Sequence, residues 1–378
     1  MKVKQIQSMA QVDAQTWNHL AGDLSPFMRH EFLIALEQSG AISDKTGWKS
    51  AHLVVLSEDE TEYVALMPLY LKGHSFGEYV FDHQWAQAYQ QYGVAYYPKW
   101  LTAIPFTPCH GQRLLMAPSC NKWAVMQAVL AFIQLASQKQ KISSWHCLFP
   151  SLIEVESFAQ LGLSIRENVQ FHWFNRGYGC FDDYLSTFNS SKRKMLKRER
   201  RRVQEEGIEF VTLLGAEVSE VQWQVFYEFY AMTYFKKGSM PYLNLAFFRQ
   251  IAQTMGERIH LVFAVKNNEY VAAALSFIGQ DTLYGRYWGC LEAYSGLHFE
   301  TCYYQGIEYC IREGLMRFDS GAQGEHKISR GFEPTTTYSA HWIQDHYFKT
   351  AIDRFLEREK ESVQRYKLDA ESYLPFKE

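Results

Sequence analysis

Glu325, His326, Lys327 and Arg330 fall within six consecutive residues, bracketed by Gly321, Gly324 and Gly331. A carboxylate can accept a proton, an imidazole can exchange one near neutrality, and two cations can hold negative charge that develops in a reaction. Glycines let the backbone approach a ligand closely or adopt positive φ. The run follows Gly314-Leu-Met-Arg-Phe318, which reads as a short strand. Open α/β sheets place their chemistry just past such strand ends. Glu325 and Lys327 are therefore candidate catalytic groups, and His326 and Arg330 candidate binding groups. A surface hairpin with solvated charges would carry the same letters.

Other segments offer partners. Leu283-Tyr-Gly-Arg-Tyr-Trp-Gly289 reads as a strand on which Arg286 stands among Tyr284, Tyr287 and Trp288. A guanidinium amid rings needs an anion: a substrate group, or an ion pair with Glu300 or Glu325. Leu297-His-Phe-Glu300 opens a helix, where His298 or Glu300 can take a proton from an amine nucleophile or simply cap backbone amides. In the N-terminal half, Gly77-Glu-Tyr-Val-Phe-Asp82 leads into Trp85, Tyr89 and Tyr92, then Tyr96-Tyr-Pro-Lys99, Pro105-Phe-Thr-Pro108 and Arg113. Rings with isolated charges suit a cleft for a flat or sugar-like ligand, contacted by Asp82, Lys99 and Arg113. Core packing accounts for most of these rings equally well.

Lys192-Arg-Lys-Met-Leu-Lys-Arg-Glu-Arg-Arg-Arg202 holds eight cations and one anion. Its net charge of +7, in a chain whose total is −3, leaves −10 on the remainder. Ser190 or Ser191 can cap the start of this helix, expected over 190–206, and Gly207 its end. Met195, Leu196 and Val203 form a narrow docking stripe, which turns the cations outward. The repulsion among them calls for a counter-charge. An acidic patch would serve, and so would phosphates of a nucleotide, a coenzyme or RNA, met by Lys197, Arg198, Arg201 and Arg202.

Several chemistries lack their signatures. No GxGxxG follows a strand, and GxxxxGK[ST], HExxH and GxSxG are absent. Cys109-His110 and His146-Cys147 are adjacent pairs, a poor geometry for joint ligation, so no metal is expected. Seven cysteines without a CxxC pair suit reduced thiols in a cytoplasm. No apolar run is long enough to span a membrane.

The elements that must position these groups follow from periodicity. At 378 residues the chain is too long for one ordinary core. His52-Leu-Val-Val55 with Glu62-Tyr-Val-Ala65, and His260-Leu-Val-Phe263 with Glu269-Tyr-Val-Ala272, read as two similar hairpins. Helices are predicted over 31–37, 122–139, 223–234, 245–255, 300–313 and 348–366, and strands over 144–149 and 171–174. Gly314 is a natural C-cap. Two α/β domains are expected, 1–178 and 179–378, divided near Gly177-Tyr-Gly-Cys180.

These motifs together resemble the FemAB-like predicted N-acyltransferases of the GNAT superfamily, labelled peptidoglycan biosynthesis or recognition proteins. The resemblance runs over nearly the whole chain. It rests on residues 77–82, 96–99, 105–108, the basic helix, 283–289, 297–300 and 321–327. It implies two tandem GNAT-like domains, each a mixed, mostly antiparallel sheet flanked by helices. It implies transfer of an acyl or aminoacyl group, from acyl-CoA or aminoacyl-tRNA, to an amine acceptor such as a cell-wall precursor. In the wider Fem group a lysine follows the strand after the main helix, and Lys327 stands in the matching place. The Arg/Gln-x-x-Gly-x-Gly/Ala turn that cradles coenzyme A in typical GNAT enzymes is not found, which leaves the donor open. A non-catalytic RNA- or precursor-binding protein on the same scaffold stays open too. An amide or ester hydrolase ranks last.

Overall fold

The computed structural model describes residues 1–322 and 324–377. Gln323, inside the charged run, and Glu378 lie outside the described residues. The strands in chain order are Lys2–Gln5 (β1), Trp48–Ser50 (β2), Leu53–Leu56 (β3), Tyr63–Met67 (β4), Tyr70–Lys72 (β5), Lys99–Thr102 (β6), Leu115–Met116 (β7), Ser144–Leu148 (β8), Ser164–Phe174 (β9), Ile208–Leu214 (β10), Ile259–Lys266 (β11), Glu269–Ile278 (β12), Thr282–Cys290 (β13), Arg317–Asp319 (β14) and Glu333–Ile343 (β15). The chain forms two compact units, one of residues 1–169 with 336–366, the other of residues 170–335 with 367–378.

In the N-terminal unit, β1, β3, β4 and β7 make one antiparallel sheet, and β2, β5, β6, β8 and β15 associate in the order β2-β5-β6-β8-β15. The Lys122–Gln140 helix covers the first sheet with Val125, Val129 and Ile133, which meet Leu53, Val55 and Ala65 in the core. Asn121, not a serine or threonine, caps that helix through its side chain. Residues 336–366, expected with the C-terminal half, pack in this unit. The cause is an apolar stripe: Phe348, Ile352 and Leu356, four residues apart on the His346–Ser372 helix, bury against Trp85, Tyr89 and Tyr96. The rings expected to line a cleft are thus largely core.

In the C-terminal unit the order is β10-β11-β12-β13-β14-β9, antiparallel except for the parallel pair β13-β14. Both sequence-predicted hairpins form, as β3-β4 and β11-β12. Each carries a register shift shortly before its turn, at Val55/Leu56 and Ala264/Val265. The two units are therefore α/β layers of mostly antiparallel sheet and helix, the architecture expected of tandem GNAT-like domains. The Glu220–Phe235 helix lies directly on β13: a Cβ on Gly289 would stand 1.9 Å from the carbonyl oxygen of Phe229, and Thr233 Oγ1 donates to the Trp288 carbonyl at 2.8 Å. Backbone cannot yield to that contact. Gly289→Ala is expected to cost about 3 kcal/mol in a denaturant melt, and an unchanged midpoint would mean that helix and strand separate easily.

Candidate active site

Between β13 and β14 the chain runs through residues 291–316, whose helical part is α over Leu297–Phe299, π over Glu300–Tyr304 and α again over Gln305–Glu313. Single π turns are rare and recur at functional sites. Gly314 ends the helix in the left-handed conformation, φ 68°. Below it, the ring of Phe318 on β14 packs so tightly that a Cβ on Gly306 or Gly285 would approach it to 2.5 and 3.0 Å. A cavity of about 130 Å³ opens here, lined by Ala274, Leu275, Ser276, Gly285, Arg286, Tyr287, Trp288, His298, Cys302, Tyr303 and Ser320. Its floor includes the β12–β13 irregularity, where the register slips between Leu275 and Ser276.

The charged run forms a 3-10 turn, Glu325–Arg330, entered through Gly324 at φ 113° and left through Gly331 at φ 79°. A Cβ at Gly331 would also collide with the Tyr184 hydroxyl, 2.1 Å away, so both conformation and space demand glycine there. The turn aims Lys327 inward. Its Nζ donates to the carbonyl oxygens of Ser320 at 3.0 Å and Gly321 at 2.9 Å, directly behind a wall residue of the cavity. An ammonium has three N–H bonds, and the third has no partner among the described residues. Burial lowers the Lys327 pKa to about 8, against the pull of Asp319. The group can therefore exchange a proton near neutral pH.

Arg286 is paired with neither Glu300 nor Glu325. It meets Asp319 at the end of β14 through two bonds, 3.1 and 2.9 Å, and both side chains are almost wholly buried. This pair holds the Asp319 carboxyl well below the usual carboxylate range, with His172 Nε2 3.8 Å from one of its oxygens. His298 stands edge-on to Trp288, 5.2 Å between ring centroids, and burial together with His326, Lys327 and Arg330 lowers its pKa to about 4. It is neutral at pH 7 and can accept a hydrogen bond or a proton. His326 Nε2 lies 2.9 Å from the Tyr303 hydroxyl, and burial and the same cations lower its pKa. Tyr287 is buried against Tyr230, Phe248 and Phe277 while lining the cavity.

Glu300, a candidate base or cap, has both carboxylate oxygens engaged. Arg200 donates to both its carboxylate oxygens, at 3.0 and 2.9 Å, and Gln305 to one of them at 2.9 Å. Burial raises its pKa, and Arg200 opposes the rise. The carboxylate is a structural anchor: Glu300→Gln is expected to lower the melting temperature while keeping kcat, and a collapse of kcat in a folded variant would restore it as a base. Arg330 is likewise occupied. Glu199 accepts from it at 2.6 Å, Tyr304 at 3.1 Å and the His326 carbonyl at 2.6 Å, and its guanidinium lies 3.4 Å from the Phe299 ring centroid. Glu325 is exposed and is not among the residues lining the cavity.

The basic helix spans Ser190–Glu205, and its cap is the Asn189 side chain rather than Ser190 or Ser191. Leu196 and Val203 are buried, whereas Lys197, Arg198, Arg201 and Arg202 are turned outward, with Lys197 and Arg201 well exposed. In the N-terminal unit, Lys99 is fully buried and pairs with Glu78 at 2.8 Å and with Asp82, which also accepts from Tyr96 at 2.6 Å. Arg113 donates to the carbonyls of Leu148, Gly111, Gln112 and Cys109, while Glu154 accepts from the amides of Arg113 and Leu114. These three residues are internal ties, because each finds its counter-charge or carbonyls within the unit. The open grooves of about 670 and 720 Å³ on that unit gather no converging set of catalytic side chains. Sequence reasoning missed Ser276, Cys302, Tyr303, Asp319, Glu199 and Arg200. Glu199, the lone anion in a cationic run, was the available signal for the last pair.

Fold and site together define a protein of two α/β units, mostly antiparallel sheet and helix, with a cavity in its C-terminal unit. The chain belongs to the FemAB-like family, described as peptidoglycan biosynthesis/recognition, whose model matches residues 8–378. No curated protein matches the sequence. Among solved structures it is similar to FemX, at 12% identity and a TM-score of 0.55, over 93% of this chain and 100% of that one. It is similar to the C-terminal domain of a putative lysylphosphatidylglycerol synthetase from Agrobacterium fabrum, at 10% identity and a TM-score of 0.56, over 92% and 96%. It is also similar to L-PGS from Bacillus licheniformis, at 10% identity and a TM-score of 0.50, over 88% and 98%. At such identities the likeness is one of fold. Among the described residues no helix is long and apolar enough to cross a membrane, and no three His, Cys, Asp or Glu side chains gather as metal ligands.

Proposed function

We propose that the protein is a cytoplasmic N-acyltransferase whose reaction takes place at the β13–β14 cavity. The observation that carries the reading is Lys327: a buried lysine with a pKa near 8, one N–H uncommitted, placed behind the cavity wall in a family of peptidoglycan biosynthesis/recognition proteins. The acyl carbonyl of a donor sits in the cavity, and the amine of an acceptor, such as a cell-wall precursor, attacks it. The carbonyl oxygen gains negative charge, which the Lys327 ammonium stabilises. His298, neutral at pH 7, accepts the proton lost by the amine, directly or through water. The Tyr303–His326 pair orients groups at the rim. As the tetrahedral intermediate collapses and the C–O or C–S bond breaks, the proton held by His298 passes to the leaving atom, directly or through water, and the donor departs as an alcohol from an ester or a thiol from a thioester. The Arg286–Asp319 pair fixes the wall beside Ser320, close to Lys327, and binds no substrate charge. Acyl-CoA and aminoacyl-tRNA both offer a suitable carbonyl.

The test is to incubate the full chain with acyl-CoAs, aminoacyl-tRNAs and amine acceptors, and to follow donor consumption and product mass. Transfer that disappears in Lys327→Met supports the reading. No donor consumed, with RNA or precursor still bound, would favour the non-catalytic binding protein.

A further inference from the structure

The basic helix has two chemically different faces. Outward, Lys194, Arg198 and Arg202 are exposed, stand four residues apart and make no ion pair among the described residues. At that spacing they form a row rising about 6 Å per step. Beside them Lys197 and Arg201 have only the exposed carboxylates of Asp182, at 3.5 Å, and Glu205, at 3.3 Å. Like charges at this spacing work against the helix, and a ligand carrying several phosphates is the chemistry that relieves them. Inward, the same helix is bonded to the parts of the cavity. Arg200 holds Glu300, the first residue of the π turn that supplies Cys302 and Tyr303, and Glu308 one turn beyond it. Glu199 accepts from the Tyr304 hydroxyl and from Arg330, and Arg330 donates to the His326 carbonyl, next to Lys327.

We infer that the outward face of this helix binds the phosphate groups of the acyl donor, and that Glu199 is the positioning residue through which that binding steadies the Lys327 turn. The inference rests on the acyl-transfer reading of the cavity. Phosphate binding removes repulsion that weakens the helix, a steadier helix holds Glu199 in place, and Glu199 holds Arg330 and the turn. By linkage, a turn held in place tightens phosphate binding equally. The phosphates have two sources, the phosphodiester chain of an RNA or the phosphates of coenzyme A.

The test uses the full chain with bulk transfer RNA and, separately, coenzyme A. It measures binding against salt, and amide hydrogen exchange over residues 324–331. Wild type is expected to bind at least one probe and to slow exchange in the turn by about tenfold. The triple variant K194Q/R198Q/R202Q, altered only on the outward face, should lose that affinity. If RNA is the ligand, the slope of log K against log salt should fall by about 2–3. Glu199→Gln should still bind but give no added protection. If it does not fold, Glu199→Asp, with its shorter reach, serves the same comparison and should give reduced protection. Binding of neither probe by wild type, unchanged binding by the triple variant, or full protection in the folded Glu199 variant would each overturn the inference. Binding needs no turnover, so failure here leaves the Lys327→Met transfer assay as an independent test of the reaction. Protection by one probe only names the phosphate source.

Discussion

Lys327→Met is expected to lower kcat for acyl transfer by about 10²–10³-fold, the usual loss when one donor to a developing oxyanion is removed. The fold should survive, because methionine fills the same channel without a charge. The two carbonyls of Ser320 and Gly321 lose a partner, which tempers any gain. A second signature separates chemistry from packing. The folded-state pKa of Lys327 is lowered to about 8 from 10.5. Between those values the unfolded chain keeps a proton that the folded chain has released, so this lysine makes stability rise with pH across that window, and its burden is fully present below it. The difference in unfolding free energy, wild type minus Lys327→Met, should therefore grow by about 3 kcal/mol from pH 8 to 10.5. A flat difference would mean that the lysine is solvated in the folded protein, and equal kcat in both proteins would remove it from the reaction.

Arg286→Leu carries the largest expected loss of stability, about 3–5 kcal/mol at pH 7, because it leaves the Asp319 carboxylate buried without its cation. The pH dependence reverses with it. In wild type the depressed Asp319 pKa contributes stability above the usual carboxylate range, lost as pH falls through the folded value. In the variant, burial without a cation raises that pKa, so the loss should shrink on acidification toward pH 4. Arg286→Leu combined with Asp319→Leu should recover much of the stability, as buried pairs replaced by apolar groups often do. If chemical denaturation shows the single variant within about 1 kcal/mol of wild type, water reaches the pair and the wall of the cavity is softer than its burial suggests.

Much of this fold is legible locally. The Leu245–Met255 helix is found where periodicity places it, because Asn244 caps its start. Both hairpins form because their alternation and turn residues are contained in twenty residues or fewer. Site assignments fail where a partner is distant in sequence. Arg286 is visibly in need of an anion, but Asp319 lies 33 residues away at the end of a strand brought alongside in parallel. Glu300 reads as a base, a cap or a partner for Arg286, because Arg200, 100 residues earlier, reads as one of many outward-facing cations. Lys327 and Arg330 have the same local character, yet one points to backbone carbonyls behind the cavity and the other into an ion pair. On a 3-10 turn the two share a face, so their partners, the Ser320 and Gly321 carbonyls for one and Glu199 for the other, decide the difference, and those are set by the tertiary fold.

The π turn at Glu300–Tyr304 sets the phase of everything after it. The Gln305 amide bonds to the Glu300 carbonyl, five residues back, so the helix holds one residue more than an α-helix of the same path. An extra residue turns the following side chains by about 100° relative to those before it. His298 upstream and Cys302 and Tyr303 within the turn can then share one wall, while Glu300 and Glu308 both face Arg200. Deleting one residue there would restore a regular helix and re-index the whole wall, changing which atoms meet a substrate without altering the composition of the cavity. The useful unit of variation at this site is thus helical register, which a substitution scan leaves untouched.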